Sequence, residues 1–198
     1  LAYTGGKMHL SGISTATGVS LIRQAKKDGL NLTADVHLMN LCWSEEEMLG
    51  FDTRFKVLPV LRTENDRSEL WAGVLDGTID AIVSDHRPGD TEEKELEFDL
   101  ASFGAPQLET VFAALVSTAK NADLSFLKAL NAGPRKILDL PPNCIEVGAN
   151  AELTLFDPSV PYQANMRPEQ WRFSPFNKVD LKGQILGVIR GARASLVQ

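Results

Sequence analysis

Apolar and polar positions divide the first ninety residues into a regular alternation. "KMHLSGI" (7–13) reads as a short strand. "GVSLIRQAKKDG" then places Val19, Ile22 and Ala25 or Lys26 at helical spacing, with Ser14 or Thr15 as cap and Gly29 as stop. "LNLTADVHL" alternates as a second strand, and "EEEML" is a brief acidic helical turn. "RFKVLPVL" is a third apolar run, which Pro59 should end rather than interrupt. Thr63 caps the helix "ENDRSELWAGVLDG", which Gly77 stops. "IDAIVSD" follows as a strand with both faces apolar. The order β-α-β-(α)-β-α-β at these spacings predicts parallel strands joined by crossover helices.

The pattern then changes. A long polar loop, "HRPGDTEEKELEFDLASFG", precedes helices expected near 107–120, 124–131 and 134–138. In that loop "TEEKELE" carries mixed charge and reads as a solvated loop or helix turn. Met48, Trp71 and Phe112 stand among apolar residues at helical spacing and read as packing groups. From about Asn143 onward, "AELTLFDP" and "KGQILGVIRGARASLV" form short strands separated by turn residues. The division is therefore a parallel α/β part over 1–142 and a β module over 143–198. Leu1 to Tyr3 resemble the end of a helix stopped by Gly5 and Gly6, so a preceding segment is expected.

Composition narrows the function. A net charge of −6 argues against nucleic acid or an anionic membrane as partner. No apolar run approaches the roughly 18 residues of a membrane helix. Two cysteines, Cys42 and Cys144, have no local partner spacing, which suits a reduced, cytoplasmic setting. In parallel α/β folds the chemistry sits at the carboxyl ends of the strands. Polar residues gather at those junctions: 11–15, 37–40, Arg62 with Thr63, and 85–89. Ser14, Thr15 and Thr63 are explained as helix caps. Asp85 closes the most apolar strand and is the foremost candidate for catalysis, against the plainer role of capping a loop. Arg62 and Arg87 are suited to anions, although exposed arginines usually have no specific ligand.

These segments in order resemble the C-terminal half of a dihydroorotase, in the amidohydrolase superfamily, of the kind found in multifunctional pyrimidine complexes. "HLSGISTATGVSLIRQAKKDG" is similar to the family's H-x-x-H-x-S-T segment, and "LTADVHLMNL" to the strand ending in Pro-His-His-Leu. "FKVLPVLR" is similar to K-V-N-P-P-L-R. "SDHRPGD" through "FGAPQLET" resembles the D-H-x-P-H loop and the F-G-x-x-x-L-E-T helix start. "GANAELTLFDP" and "SPFNKVDLKGQILGVIRGARAS" look like the family's terminal β module. The resemblance implies a TIM-like (β/α)8 barrel with a small β-sandwich, the chain supplying strands five to eight and part of the sandwich. It implies interconversion of carbamoyl-aspartate and dihydroorotate in pyrimidine biosynthesis. By the resemblance Asp85 orients and deprotonates a metal-bound water, and the Gly104 backbone meets the substrate. Zinc is the implied cofactor, and a homo-oligomer the implied assembly.

The family's ligand positions are altered. Gly12 stands where a metal-ligating His is expected, and Met39 and Asn40 replace the His-His pair. Leu58 replaces the substrate-binding Asn, and Gly89 the last His of D-H-x-P-H. Glycine offers no side-chain donor, and thioether and amide oxygen are poor ligands for zinc. His37, two residues before Met39, would lie on the same strand face and is a candidate substitute ligand beside Asp85. His9 reads as a buried, hydrogen-bonded core residue and His86 as a brace for its loop. Three functions follow: a dihydroorotase with an altered site, inactive as this fragment; a non-catalytic structural partner of aspartate transcarbamoylase; or an amidohydrolase of another cyclic amide.

Overall fold

A computed structural model describes residues 1–119, 123–162 and 168–196. Three strands, β1 (Met8–Leu10), β2 (Leu32–His37) and β3 (Ala81–Val83), form a parallel sheet in the order β1-β2-β3. Met8 lies opposite Leu32, and Asp35 opposite Ala81. Helix α1 (Ala16–Lys27) crosses over from β1 to β2. Thr15 caps it by accepting from the Gly18 amide at 3.0 Å, so the cap is Thr15 rather than Ser14. Ile22 on α1 packs on Leu32 and Ala34 of β2. Alternation then turns Thr33, Asp35 and His37 to the opposite face.

After β2 the backbone coils at once into α2 (Leu38–Cys42). Period-2 alternation therefore stops at His37, and Met39 is on a helix rather than on the strand face shared with His37. The acidic turn is a 3-10 helix over Glu45–Gly50. Helix α3 (Glu64–Leu75) starts on a reciprocal cap between Thr63 and Asp66.

The strand expected over 54–61 does not form. Phe55, Val57 and Leu61 are buried, as their hydrophobicity requires, but β3 pairs directly with β2. The backbone of this stretch is committed elsewhere. The Lys56 carbonyl accepts from Gly104 N (2.9 Å), that of Val60 from Asn40 Nδ2 (3.2 Å), and that of Arg62 from Glu45 N (2.8 Å). Pro59, behind a cis Leu58–Pro59 bond, has no amide hydrogen to offer a neighbour.

Four short helices follow: α4 (Thr91–Lys94), α5 (Val111–Thr118), α6 (Leu127–Leu130) and α7 (Ala132–Ile137). The expected end of the α5 region at Lys120 lies outside the described residues. Strands β4 (Glu152–Pro161), β5 (Lys182–Arg190) and β6 (Arg193–Leu196) form an antiparallel sheet in that order, and α8 (Pro168–Trp171) lies between β4 and β5 in the chain. This second sheet rests on α5: the Phe112 and Phe156 rings are 4.7 Å apart, and Lys182 N donates to Ser117 Oγ at 2.7 Å. Phe176 and Leu181 enter the same apolar core as Val36, Leu70 and Phe126. Trp71 and Met48 pack against that core, Trp71 edge-on to Phe126.

Candidate active site at the carboxyl ends of the strands

Asp85 stands two residues beyond β3 with φ 46, in the left-handed region that Asp tolerates better than most residues. Its side chain is 11% exposed. Oδ1 pairs with Arg87 Nε at 2.9 Å, and Oδ2 lies 3.4 Å from His37 Nδ1. Its carbonyl accepts from Gln107 Nε2 at 3.4 Å. His37 ends β2 opposite Val83, so strand pairing itself brings His37 and Asp85 together. The other ring nitrogen, Nε2, is 3.2 Å from where a Cβ on Gly12 would sit. The imidazole thus fills space that a side chain at position 12 would need.

Gly12 is fixed by Asp35, whose Oδ1 accepts from Gly12 N at 2.7 Å and from Ser11 Oγ at 3.1 Å. The other carboxylate oxygen of Asp35 is 3.0 Å from His9 Nε2, and His9 Nδ1 is 2.8 Å from Thr33 Oγ1. His9 is hydrogen-bonded as expected, but it is not buried, because β1 is the open edge of the sheet and all three of its residues are exposed. His86 braces its loop: Nδ1 accepts from the amides of Gln107 and Leu108, each at 3.0 Å. Two amide donors on one nitrogen place the ring proton on Nε2.

The sequence reading missed two lysines. Lys94 is not solvated; it is 2% exposed. Its ammonium donates to the carbonyls of Thr53 (2.7 Å), Ser102 (3.0 Å) and Gly104 (2.8 Å). Lys56, also buried, donates to the carbonyls of Phe98 (2.6 Å) and Asp99 (2.9 Å), and its ammonium lies 4.8 Å from the Phe103 ring centre. Burial, followed by repulsion from Lys56, pushes the Lys94 amine down to about 8, while Asp52 and Glu93 pull it up. The only sequence signal was the reciprocal cap between Asp90 and Glu93, which fixes α4 and with it the direction of Lys94. Gly104 is buried between these groups: its amide donates to Lys56, and its carbonyl accepts from Lys94. A substrate at Gly104 would have to share the carbonyl's second lone pair.

A catalytic zinc takes three protein ligands. Of the candidate donors this chain brings together only Asp85 and His37, one short of that set, with Asp85 Oδ2 3.4 Å from His37 Nδ1. Met39 and Asn40 lie on α2, Met39 fully buried. Asn40 spends its amide on Val60, and its Oδ1 is buried without a partner. Among the described residues no group of three or more His, Cys, Asp or Glu side chains could hold a metal ion. These residues do not fit a zinc site.

No protein-family model matches the chain. Individual proteins do. It is 38% identical over 196 residues to a dihydroorotase from Pelotomaculum thermopropionicum, covering 96% of this chain and 46% of that protein. With a dihydroorotase from Thermus aquaticus it shares 38% over 192 residues, covering 93% and 45%. The chain thus spans about half the length of the curated relatives it matches. Among solved structures, L-hydantoinase (dihydropyrimidinase) from Arthrobacter aurescens superposes with a TM-score of 0.87 at 22% identity, over 100% of this chain and 47% of that one. D-hydantoinase (dihydropyrimidinase) from a Thermus species gives 0.85 at 20% identity, over 99% and 46%. The fold is accordingly part of a TIM-like (β/α)8 barrel. With identity of 38% sustained along nearly all of its residues, the chain is similar to about half the length of these dihydroorotases.

Proposed function

We propose that this chain is the barrel's carboxyl-side portion of a cytoplasmic, oligomeric cyclic amidohydrolase of pyrimidine biosynthesis that interconverts carbamoyl-aspartate and dihydroorotate. On this reading residues 1–142 are partial barrel and 143–198 the β module, and the 198 residues are inactive alone. The observation that carries the reading is Asp85, a partly buried carboxylate held in a left-handed conformation just past β3, with Gly104 on the neighbouring loop. Family members are metal-dependent, and zinc is the metal this reading names; this chain offers Asp85 and His37 and too little else, so further ligands must come from outside these residues.

The test is dihydroorotate hydrolysis and elemental analysis on the natural full-length polypeptide, purified without chelator. Expected is turnover with stoichiometric zinc, both lost in Asp85→Ala. A folded, metal-free protein without turnover overturns the reading.

A second reading, a non-catalytic partner of aspartate transcarbamoylase, is favoured by one specific arrangement. The His37 ring occupies the room beside Gly12, and Asn40 leaves an orphaned oxygen at a position where the family carries imidazole. Co-elution of the metal-free protein with the transcarbamoylase, raising the latter's activity or stability, is its expected signature; independent elution sinks it.

A further inference from the structure

Residues 98–104 form no helix or strand, yet the carbonyls of Phe98, Asp99, Ser102 and Gly104 point inward and need donors. Two ammonium groups supply them, and Lys94 takes the Thr53 carbonyl as well. Beyond Gly104 the same segment holds the site. Arg87 N donates to the Ala105 carbonyl at 3.0 Å, and His86 accepts from Gln107 and Leu108. Gly104 presses so closely on Arg87 that an added Cβ would lie 2.6 Å from Arg87 Cβ and 2.7 Å from its carbonyl oxygen. Arg87 in turn covers Oδ1 of Asp85.

We infer that Lys94 and Lys56 are positioning residues: as tethered cations they clamp residues 98–108, and through Gly104 and Ala105 they fix Arg87 against the Asp85 carboxylate. The inference rests on reading Asp85 as the carboxylate of the site. Neither lysine reaches that carboxylate; each acts through backbone carbonyls. Three hydrogen bonds from one ammonium to one pocket of carbonyls are charge-assisted, and no neutral side chain of similar length replaces them. The ammonium of Lys94 faces Lys56, Asp52 and Glu93, a mixed set that leaves it largely protonated at neutral pH.

The test is amide hydrogen exchange on the full polypeptide carrying Lys94→Ala. Exchange at Arg87, Gly104, Gln107 and Leu108 is expected to accelerate about tenfold or more, while Ile13 and Asp80, bonded to β2, keep their protection. Methylammonium, which can refill the carbonyl pocket, is expected to restore protection where sodium does not. In an active protein the same variant is expected to raise KM for dihydroorotate and to recover with methylammonium. Unchanged exchange around Arg87 overturns the inference, and so does equal acceleration throughout β2. If Lys94→Ala does not fold, Lys56→Met decides by the same amides, since it releases only Phe98 and Asp99. Exchange needs no turnover, so an inactive protein would refute the enzymatic reading and leave this measurement decisive for the clamp.

Discussion

The ends of β2 and β3 lie side by side and are built differently. Beyond β3, from Asp85 to Leu108, ammonium groups, an arginine and an imidazole partner backbone and carboxylate, and Gln107 Oε1 is the side-chain atom left buried without a partner there. At the β2 end, the His37 ring fills room left by Gly12 on the loop after β1, and Asn40 keeps an oxygen with no partner. A buried polar atom without a partner costs about 1–3 kcal/mol, so a native protein keeps few of them. By the resemblance, further imidazoles are expected on the β2 side. Here the His37 ring takes up the room beside Gly12 and Asn40 offers an amide, whereas the β3 side presents the Asp85 carboxylate with Arg87 against it.

If that contrast is right, the β3 side should tolerate far less. Gly104→Ala is expected to have the largest effect. Its φ of 123 suits glycine, and the new methyl would meet Arg87 backbone rather than a movable side-chain tip. A loss of roughly 3–5 kcal/mol is expected from strain and overpacking together, read from urea unfolding of the full polypeptide. A loss below about 1 kcal/mol would mean that the loop is free to shift and that the clamp is loose. Next comes Lys94→Met. It removes the donor for three carbonyls, that of Gly104 buried, but also relieves a buried charge, leaving a net loss of about 3 kcal/mol.

Much of this architecture was legible in the sequence. Thr15 and Thr63 caps, the buried face of α1 and the placement of Asp85 all follow from local chemistry that short segments carry in themselves. Three features were not legible, each decided by distant partners. Residues 55–61 have a strand's hydrophobicity, but Gly104 and Asn40 claim the Lys56 and Val60 carbonyls. Lys94 sits in a charged run and looks solvated until residues 98–104 fold over it. His37 and Met39 keep a strand's spacing, but the chain becomes helical between them. The His37–Asp85 proximity was legible: both residues were singled out together, as candidate ligands, and they stand 3.4 Å apart.

Proton linkage separates the two ends without altering backbone or shape. Lys94 titrates near 8 in the folded chain and at its ordinary value of 10.5 when unfolded. Between these values the unfolded chain binds more protons, so stability rises with pH, by up to about 3 kcal/mol across the window. Cys42, pushed by burial from 9.0 to about 12, and Tyr162, pushed from 10.0 to about 12, act in the opposite sense, since their folded forms keep the proton. The raw profile therefore mixes signs, and the informative quantity is wild type minus Lys94→Met. That difference is expected to climb from pH 8 to 10.5 and to stay flat below pH 7. A flat difference throughout would mean that the amine is already neutral or is solvated.

On the β2 side the effects should shrink. Gly12→Ala places a methyl 3.1–3.2 Å from Pro59 Cγ and the His37 ring, both side-chain atoms that can yield, at a glycine with φ 73. A loss of about 1–2 kcal/mol is expected, below that of Gly104→Ala. Asn40→Leu should cost least, about 1 kcal/mol, because it gives up the bond to Val60 and a longer one to Pro59 while removing an orphaned acceptor. Urea unfolding of these two variants beside Gly104→Ala tests the ordering directly. A large loss in Asn40→Leu would show that its Oδ1 meets a polar partner in the full polypeptide. That partner would be supplied by the half of the family's length that these residues do not span. The β2 end would then be an interface awaiting completion rather than a site that has lost its chemistry.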